Sequence, residues 1–452
     1  MKIVVAGCGK IGTTVIENLI LEGHDVVAID DNNHVLQDIT NLYDVMSVCG
    51  NAADYVTLTE AGVSGADIFV AVTGSDELNM LSCLIAKKMG AKYTIARIRN
   101  PEYNGQGFTF IKDQLDLSLS INPELHAARE LFNILKLPGA LNIETFARGN
   151  FEMVEIRLKE GTPLDGMNLI DVRKKFPGNY LVCVVHRGDE VFIPDGHFVL
   201  KNGDKIGLTA APTEIQKLLK KLGILQKQAK NVMILGAGKT AFYLCKMLLK
   251  SGNNVKLIDI NPEICREMSD VLSDAVIICG DGAEQELLLE EGIRSMDAFV
   301  SLTGMDEENI LVSLFAASQG VPKVISKVNR KELFNMAEKL GLETIISPKR
   351  IISDVVLSYA RALQNSQGSQ VETLYKLMDG KVEALEFIVK DDFEFSGVAL
   401  KNIKFKPNIL IAGIVTGRKA VIPSGDDTFK SGDRVIVIAA DQHPDDLTDI
   451  IE

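Results

Sequence analysis

With 452 residues, 46% of them hydrophobic and 24% charged, the chain has ordinary globular composition, too long for a single core and too apolar for extended disorder. Its formal charge of −13 excludes the clustered basic footprint that nucleic acid requires, and no run approaches the ~18 apolar residues needed to cross a bilayer. Seven cysteines without a CxxC pair read as buried reduced thiols in a cytosolic protein, and no Cys/His cluster or HExxH suggests a metal site.

The chain enters a predicted strand at Lys2, KIVVA, so a signal segment is not expected there. The strand runs into G-x-G-x-x-G at Gly7, Gly9 and Gly12, which opens a helix. The β-branched runs DVVAID, MSVC, DIFVAVT, YTIARI and LSLSI follow, separated by helical stretches of about 10 to 15 residues. That alternation predicts βαβ units on a parallel sheet over residues 1–121. The step INPEL at Pro123 then starts a connector, 122–150, whose helix carries an apolar stripe. The stripe suits packing on its own lobe or on a partner, and both remain open. Residues 151–225 are strand-rich, with hairpin signals at HRGDE and KNGDK.

From Asn231 the chain repeats itself at an offset of 229 or 230. Gly236, Gly238 and Ala241 answer the three glycines; Asp259 answers Asp30; CGDGAEQ answers CGNAADY; VSLTGMDEENIL answers VAVTGSDELNML. IPSGDDTFKSGDRV likewise answers IPDGHFVLKNGDKI, so a whole module is duplicated. The second copy has a Rossmann-type lobe at 230–347, a connector at 348–369 containing the loose segment QNSQGSQ, and a small lobe at 370–452 with turns TGRKA and KSGDR. The acidic end, DQHPDDLTDIIE, reads as a solvated, partly helical tail. The expected fold is α/β: two Rossmann-like, doubly wound parallel-sheet domains, each followed by a small α+β lobe.

The candidate ligand residues fall at matching places in both copies. The first glycine allows a tight turn, the second lets backbone approach a pyrophosphate, and the third allows the helix to pack on the strand; Ala241 is the permitted variant of the last. Lys10 and Ile11, with Lys239 and Thr240, lie where a helix N-terminus favours phosphate. Asp30, 21 residues after Gly9, and Asp259, 21 after Gly238, would accept hydrogen bonds from the adenosine ribose and repel a 2′-phosphate, favouring NAD(H); ATP and ADP fit the same acid. Asn51 and Asp281 are placed for the base or for a plain turn. Thr73 and Thr303 face the cleft, while Asp76 and Asp306 are expected to cap the helices that follow. Arg97 and Lys327 end the fifth strands, where a cation suits a phosphate or simply marks a solvated strand end, and Lys10 and Lys239 carry the same two readings. A hydride-transfer enzyme needs an acid or base beside its substrate, and none of the six histidines is persuasive, so no catalytic residue is assigned and the chain is not expected to be an enzyme. The competing reading is a duplicated NAD-dependent dehydrogenase.

The glycine loop, the acid of the second strand, the T-G-x-D-E-x-N-x-L segment and the I-P-x-G and G-D-x-[IV] signals of the small lobes together resemble the RCK domain, regulator of potassium conductance. The tandem arrangement is similar to the cytosolic subunits of Trk-type potassium-uptake systems. The resemblance implies binding of NAD(H), and of ATP or ADP, and gating of a membrane potassium transporter. It further implies a peripheral location on the inner face of the cell membrane and a ring-like homo-oligomer, dimer or tetramer. It carries over to Gly7, Gly9, Gly12, Asp30, Thr73, Gly236, Gly238, Asp259 and Thr303.

Overall fold

Apolar runs too short for helices and too apolar for edge positions pair side by side, and the amphipathic stretches between them cover both faces of the resulting sheet. The computed structural model describes residues 1–103, 106–188, 190–224, 228–364, 371–377 and 381–452. Most of the loose segment QNSQGSQ, residues 365–370, lies outside the described residues, as does Asp189 of HRGDE.

The first lobe runs β1 (Lys2–Ala6), α1 (Lys10–Leu21), β2 (Asp25–Asp30), α2 (Asn33–Leu42), β3 (Met46–Cys49), α3 (Tyr55–Glu60), β4 (Ile68–Ala71), α4 (Asp76–Met89), β5 (Tyr93–Arg97), α5 (Gln106–Gln114) and β6 (Leu119–Ile121). Its six parallel strands lie in the order β3-β2-β1-β4-β5-β6, so the winding reverses between β1 and β4 and leaves a crevice at their carboxyl ends. The crossover from β3 to β4 is tighter than the sequence pattern suggests: α3 has six residues and hands over to a 3₁₀ turn.

The connector helix α6 (Pro123–Lys136) leads to the first small lobe: β7 (Asn142–Phe146), β8 (Phe151–Arg157), α7 (Leu169–Lys175), β9 (Tyr180–Arg187), β10 (Glu190–Phe192), β11 (Lys205–Ala210) and α8 (Pro212–Lys221). The antiparallel order is β10-β9-β11-β8-β7. HRGDE closes the β9–β10 hairpin, as expected, but KNGDK does not close one. It feeds β11 from a loop, anchored by buried Asp204, whose carboxylate accepts from Arg187 Nε at 2.8 Å and from the Lys201 amide at 2.8 Å.

The second half repeats the plan with β12 (Asn231–Leu235), α9 (Lys239–Lys250), β13 (Asn254–Asp259), α10 (Pro262–Val271), β14 (Val276–Cys279), α11 (Gln285–Glu290), β15 (Ala298–Ser301), α12 (Asp306–Ser318), β16 (Lys323–Lys327), α13 (Lys331–Lys339) and β17 (Thr344–Ile346). Its sheet order is β14-β13-β12-β15-β16-β17. Connector α14 (Pro348–Gln364) leads to β18 (Val371–Leu377), β19 (Val382–Ile388), β20 (Ile409–Thr416), β21 (Lys419–Val421) and β22 (Arg434–Ala440). TGRKA closes the β20–β21 hairpin, whereas KSGDR, like its counterpart, only leads into β22. The acidic tail is not solvated throughout: Leu447 and Ile450 are fully buried in this lobe's core.

The connector helices decide how the lobes sit together. Buried Ala127, Ala128, Leu131, Ile134 and Leu135 of α6 share a core with Ala241, Leu244 and Leu248 of α9, in the second lobe. Reciprocally, Ile352, Val356, Leu357 and Ala360 of α14 share a core with Val15, Ile16 and Leu19 of α1, in the first. Each stripe is therefore partner-facing, and each Rossmann lobe is completed by a helix from the other half. Three large apolar side chains per helix stabilise this exchange by about 5–9 kcal/mol. Arg361 of α14, only 1% exposed, donates from Nη2 to Glu22 at 2.6 Å and from Nη1 to Glu383 at 2.8 Å, tying the first lobe to β19. The two small lobes meet face to face, with Phe151, Met153 and Val184 against Ala412, Val415 and Ile436.

Candidate functional site

Each glycine loop follows from its strand. At the end of β1 the chain must turn beneath β4: Gly7 has φ +94°, and a Cβ there would sit 2.7 Å from the Thr73 amide. Gly12 lies against the same turn, since a Cβ would come 1.8 Å from the Gly7 carbonyl oxygen. Gly9 differs from both: a Cβ would meet nothing within 4 Å, so nothing inside the protein demands glycine there. Gly236 repeats Gly7, with φ +92°, and Gly238 repeats Gly9. Gly9 and Gly238 are the N-caps of α1 and α9, and neither helix start is capped by a side chain, which leaves backbone N–H groups for a ligand.

The two loops open into one cavity of about 850 Å³ between the lobes. From the first half it takes Gly7, Gly9, Lys10, Ile11, Asp30, Asn51, Thr73 and Arg97; from the second, Gly238, Lys239, Thr240 and Lys327. Gly12 and Gly236 do not line it, and neither do Asp259, Asp281 and Thr303. The first cleft thus faces the cavity along its whole length, whereas the second contributes its loop and strand-end cation but not its acid. Arg99 and Lys349, the latter from the first turn of α14, add to the lining, so six cations face Asp30, Asp31 and Glu124. Burial pushes the Arg97 and Lys327 cations down, and burial followed by Lys10 does the same to Lys349; an anion among them would relieve all three.

Asp30 already has work within its loop. Its Oδ2 accepts from the Cys8 amide at 2.7 Å and its Oδ1 from the Asn32 amide at 2.9 Å; Asp259 does the same with Ala237 at 2.7 Å and Asn261 at 2.9 Å. Asn51 and Asp281 each accept an amide two residues on, at 2.8 and 2.9 Å, so both build turns. Arg97 donates to Glu124 at 3.3 Å, and Lys327 to the Leu302 carbonyl at 2.9 Å.

Asp76 and Asp306 are not caps. Ser75 caps α4, and the Met305 side chain caps nothing. The Asp76 carboxylate instead accepts from the Arg99 and Asn100 amides at 2.8 and 2.7 Å, and Asp306 from Asn329 and Arg330, both at 2.9 Å, because an acid one residue inside the helix points at the neighbouring loop. Sequence reasoning also passed over Asn79 and Asn309, both fully buried. Asn79 Oδ1 accepts from the Thr73 amide at 2.8 Å and hydroxyl at 2.7 Å while its Nδ2 donates to the Arg97 carbonyl at 2.9 Å, and Asn309 repeats the clamp on Thr303 and Lys327. The threonine hydroxyls are therefore turned toward this asparagine. The repeated T-G-x-D-E-x-N segment was the available signal.

One tie between lobes uses a tyrosine that the first half lacks. Tyr243 of α9 accepts from Asn122 Nδ2 at 3.0 Å and donates to the Arg99 carbonyl at 3.1 Å, joining the second loop's helix to the start of α6. Its repeat counterpart is Thr14, too short to reach across. Among the described residues no group of three His, Cys, Asp or Glu is arranged to hold a metal ion.

The TrkA-N domain model matches residues 3–108 and 232–348, and the TrkA-C domain model matches 153–223 and 384–452. A Trk system potassium uptake protein TrkA homolog of Archaeoglobus fulgidus is 34% identical over 440 residues, covering 97% of each chain. Trk system potassium uptake protein TrkA of Vibrio alginolyticus is 30% identical over 443 residues, covering 97% of this chain and 95% of that one. Among solved structures, the GsuK RCK domain superposes with a TM-score of 0.64 at 18% identity, over 97% of this chain and 92% of that one. The GsuK channel bound to NAD gives 0.65 at 17%, over 97% and 77%, and these two likenesses speak to the fold. Two copies of each domain, in this order and over nearly the whole length, establish that the chain belongs to the TrkA family.

Proposed function

We propose that the chain is the regulatory subunit of a Trk-type potassium-uptake system and that it works by binding adenine nucleotides, NAD(H) and also ATP or ADP, without turning them over. The family and its relatives' names support the potassium-uptake role. The observation that carries the nucleotide reading is the shared cavity, where two uncapped glycine-loop helices and six cations from both halves converge. GsuK, bound to NAD in one solved form and to ADP in another, supports the choice of ligands for this fold.

The proposed site comprises Gly7, Gly9, Lys10, Ile11, Gly12, Asp30, Asn51, Thr73 and Arg97, with Gly236, Gly238, Lys239, Thr240, Asp259, Asp281, Thr303 and Lys327 in the second copy. A nucleotide seated on the first loop reaches basic residues of the second, so its phosphate count sets how strongly the lobes are drawn together. Ligands that favour different lobe arrangements then shift the population, and only a difference in affinity between arrangements does so. The output passes to a membrane subunit from the cytoplasmic face, through a ring of two or four copies. No described helix is long and apolar enough to span a membrane, so on this reading the attachment is peripheral.

Calorimetric titration of the purified chain with NADH, NAD, ATP and ADP, with small-angle scattering on each complex, tests the proposal. Saturable binding with a ligand-dependent change of shape is expected. Failure of all four to bind at millimolar concentration, or steady NADH oxidation coupled to a metabolite, would overturn it.

A further inference from the structure

Four of the seven cysteines, Cys8, Cys83, Cys183 and Cys245, are sealed in cores at 0–1% exposure. Two are exposed, Cys49 and Cys279, and they occupy equivalent positions at the ends of β3 and β14. Their surroundings differ. Cys49 has an S–H contact to the Asp31 carbonyl at 3.8 Å, and the fourth residue of α2, which packs behind it, is Leu36. In the second lobe the fourth residue of α10 is Cys265, 6% exposed, on the helix that covers the strand ending at Cys279. Cys265 Sγ also reaches the Asp259 carbonyl at 3.3 Å and the Ile278 carbonyl at 3.8 Å, which places it directly beneath the strand end that Cys279 terminates.

We propose that Cys265 and Cys279 are a reversible thiol–disulfide pair, a modification site for peroxide-class oxidants present on the second lobe and absent from the first. With the Cys265 sulfur 3.8 Å from the carbonyl of Ile278, the residue before Cys279, side-chain rotation and a small approach of helix to strand bring the two sulfurs to the ~2.05 Å bond length. Burial, then the neighbouring Cys279 thiol, raises Cys265 to about 11, so the exposed partner reacts first. The Cys279 thiolate attacks one peroxide oxygen; the O–O bond breaks, the other oxygen leaves as hydroxide and takes up a proton, and Cys279 becomes a sulfenic acid. Cys265 then attacks the Cys279 sulfur: the S–S bond forms, the S–O bond breaks, and water departs with the Cys265 proton. Two thiols and one hydrogen peroxide give one disulfide and two waters, and a dithiol reductant reverses the change.

The position gives the bond a consequence that rests on the nucleotide reading above. Cys279 immediately precedes the Gly280–Asp281 turn, and Cys265 loses its S–H contact with the Asp259 carbonyl when its sulfur is bonded. Oxidation would therefore shift the base and ribose ends of the second cleft and leave the first cleft as it was.

The test is intact-mass and peptide mapping of the full chain after hydrogen peroxide, for the parent and for Cys265→Ser. In the parent, a linked peptide joining residues 265 and 279 is expected, lighter by two hydrogens and restored by dithiothreitol, while Cys49 takes up oxygen instead. In Cys265→Ser, Cys279 is expected to behave like Cys49. Oxygen uptake on Cys279 in the parent without the linked peptide, or a link from Cys279 to another copy of the chain, overturns the proposal. Calorimetry with ADP on reduced and oxidised protein separates the two readings. A several-fold loss of affinity at one of two sites supports the coupling, and unchanged affinity at both removes it. Absence of ADP binding to the reduced chain overturns the nucleotide reading while leaving the linked peptide to stand.

Discussion

Gly9 and Gly12 share a motif yet differ in what their hydrogen atoms spare. A methyl at Gly12 collides with the Gly7 carbonyl, whereas one at Gly9 meets open space. Gly12→Ala should therefore lower stability, and Gly9→Ala should change it by less than about 0.5 kcal/mol while weakening nucleotide binding. Thermal melts with and without NADH check the pair. Asp30 carries two duties, bracing the Cys8 amide and facing the cavity, so alanine at this position should lose more than ribose contacts. Asp30→Asn keeps one acceptor for the loop; relative to the parent it should cost NADH affinity about 1.5–3 kcal/mol, and Asp30→Ala more. Equal affinity for all three proteins in calorimetry would remove Asp30 from the site. Lys323 offers a pH signature. Its buried ammonium donates to the Ala140 carbonyl at 2.6 Å and to Thr344 at 2.8 Å, and burial brings it from 10.5 down to about 7. Between those values the unfolded chain holds a proton that the folded chain has released, so this group makes stability rise with pH from about 7 to 10.5 and has no slope below. Lys323→Met lacks this dependence, and urea midpoints should show the parent gaining on the variant across that window.

The connector helices show what a sequence pattern holds and what it omits. The stripe on α6 announces that one face is buried, because leucine and alanine recur at helical spacing. It does not say against what, since α9 and the helix's own sheet would both accept the same face. The alternation of short strands and helices, by contrast, leaves little freedom, and both sheets have the strand order of a doubly wound fold. In the loops, the tight turns at Gly7 and Gly236 and the close packing at Gly12 were legible from spacing alone. The asparagine clamp on Thr73 and the loop contacts of Asp76 were not, because a buried amide and a helix-start carboxylate satisfy backbone groups that sequence does not bring near. Nor does spacing reveal that the lobes share a cavity. Arg361 shows the same limit, as one arginine on an amphipathic helix reads as a surface residue yet is 1% exposed between Glu22 and Glu383. Arg361→Met removes the buried cation that Glu22 and Glu383 share, leaving His443 at 2.9 Å from Glu383, and should cost about 3–5 kcal/mol in urea denaturation. Adding Glu22→Gln and Glu383→Gln should return most of it. If the triple variant is no more stable than the single, the loss comes from packing instead.

At the scale of the whole molecule, the exchange of connectors makes the two halves inseparable. A fragment of residues 1–224 lacks α14 and carries α6 with its stripe uncovered. Because α6 is the repeat counterpart of α14, a second copy of the fragment offers a helix of the right kind. The fragment is therefore expected to be a homodimer in light scattering, and a well-folded monomer would contradict the interdependence of the cores. The shared cavity sets the direction of signalling on the proposed reading: a ligand that spans it acts on the angle between lobes, and the face-to-face small lobes follow because α6 leads to β7 and α14 holds β18 through Ser358, which donates to the Leu374 carbonyl at 3.4 Å.

The same exchange reaches back to synthesis on the ribosome. The first sheet is complete at Ile121, but the helix that seals Val15, Ile16 and Leu19 ends only at Gln364. At ~5–20 residues per second, the nascent chain carries that greasy face unsealed for something on the order of 10–50 s. A temporary cover is at hand in the helix that follows Pro123, which emerges first and has the matching stripe, so the growing polypeptide is expected to borrow it and to surrender it when the later one arrives.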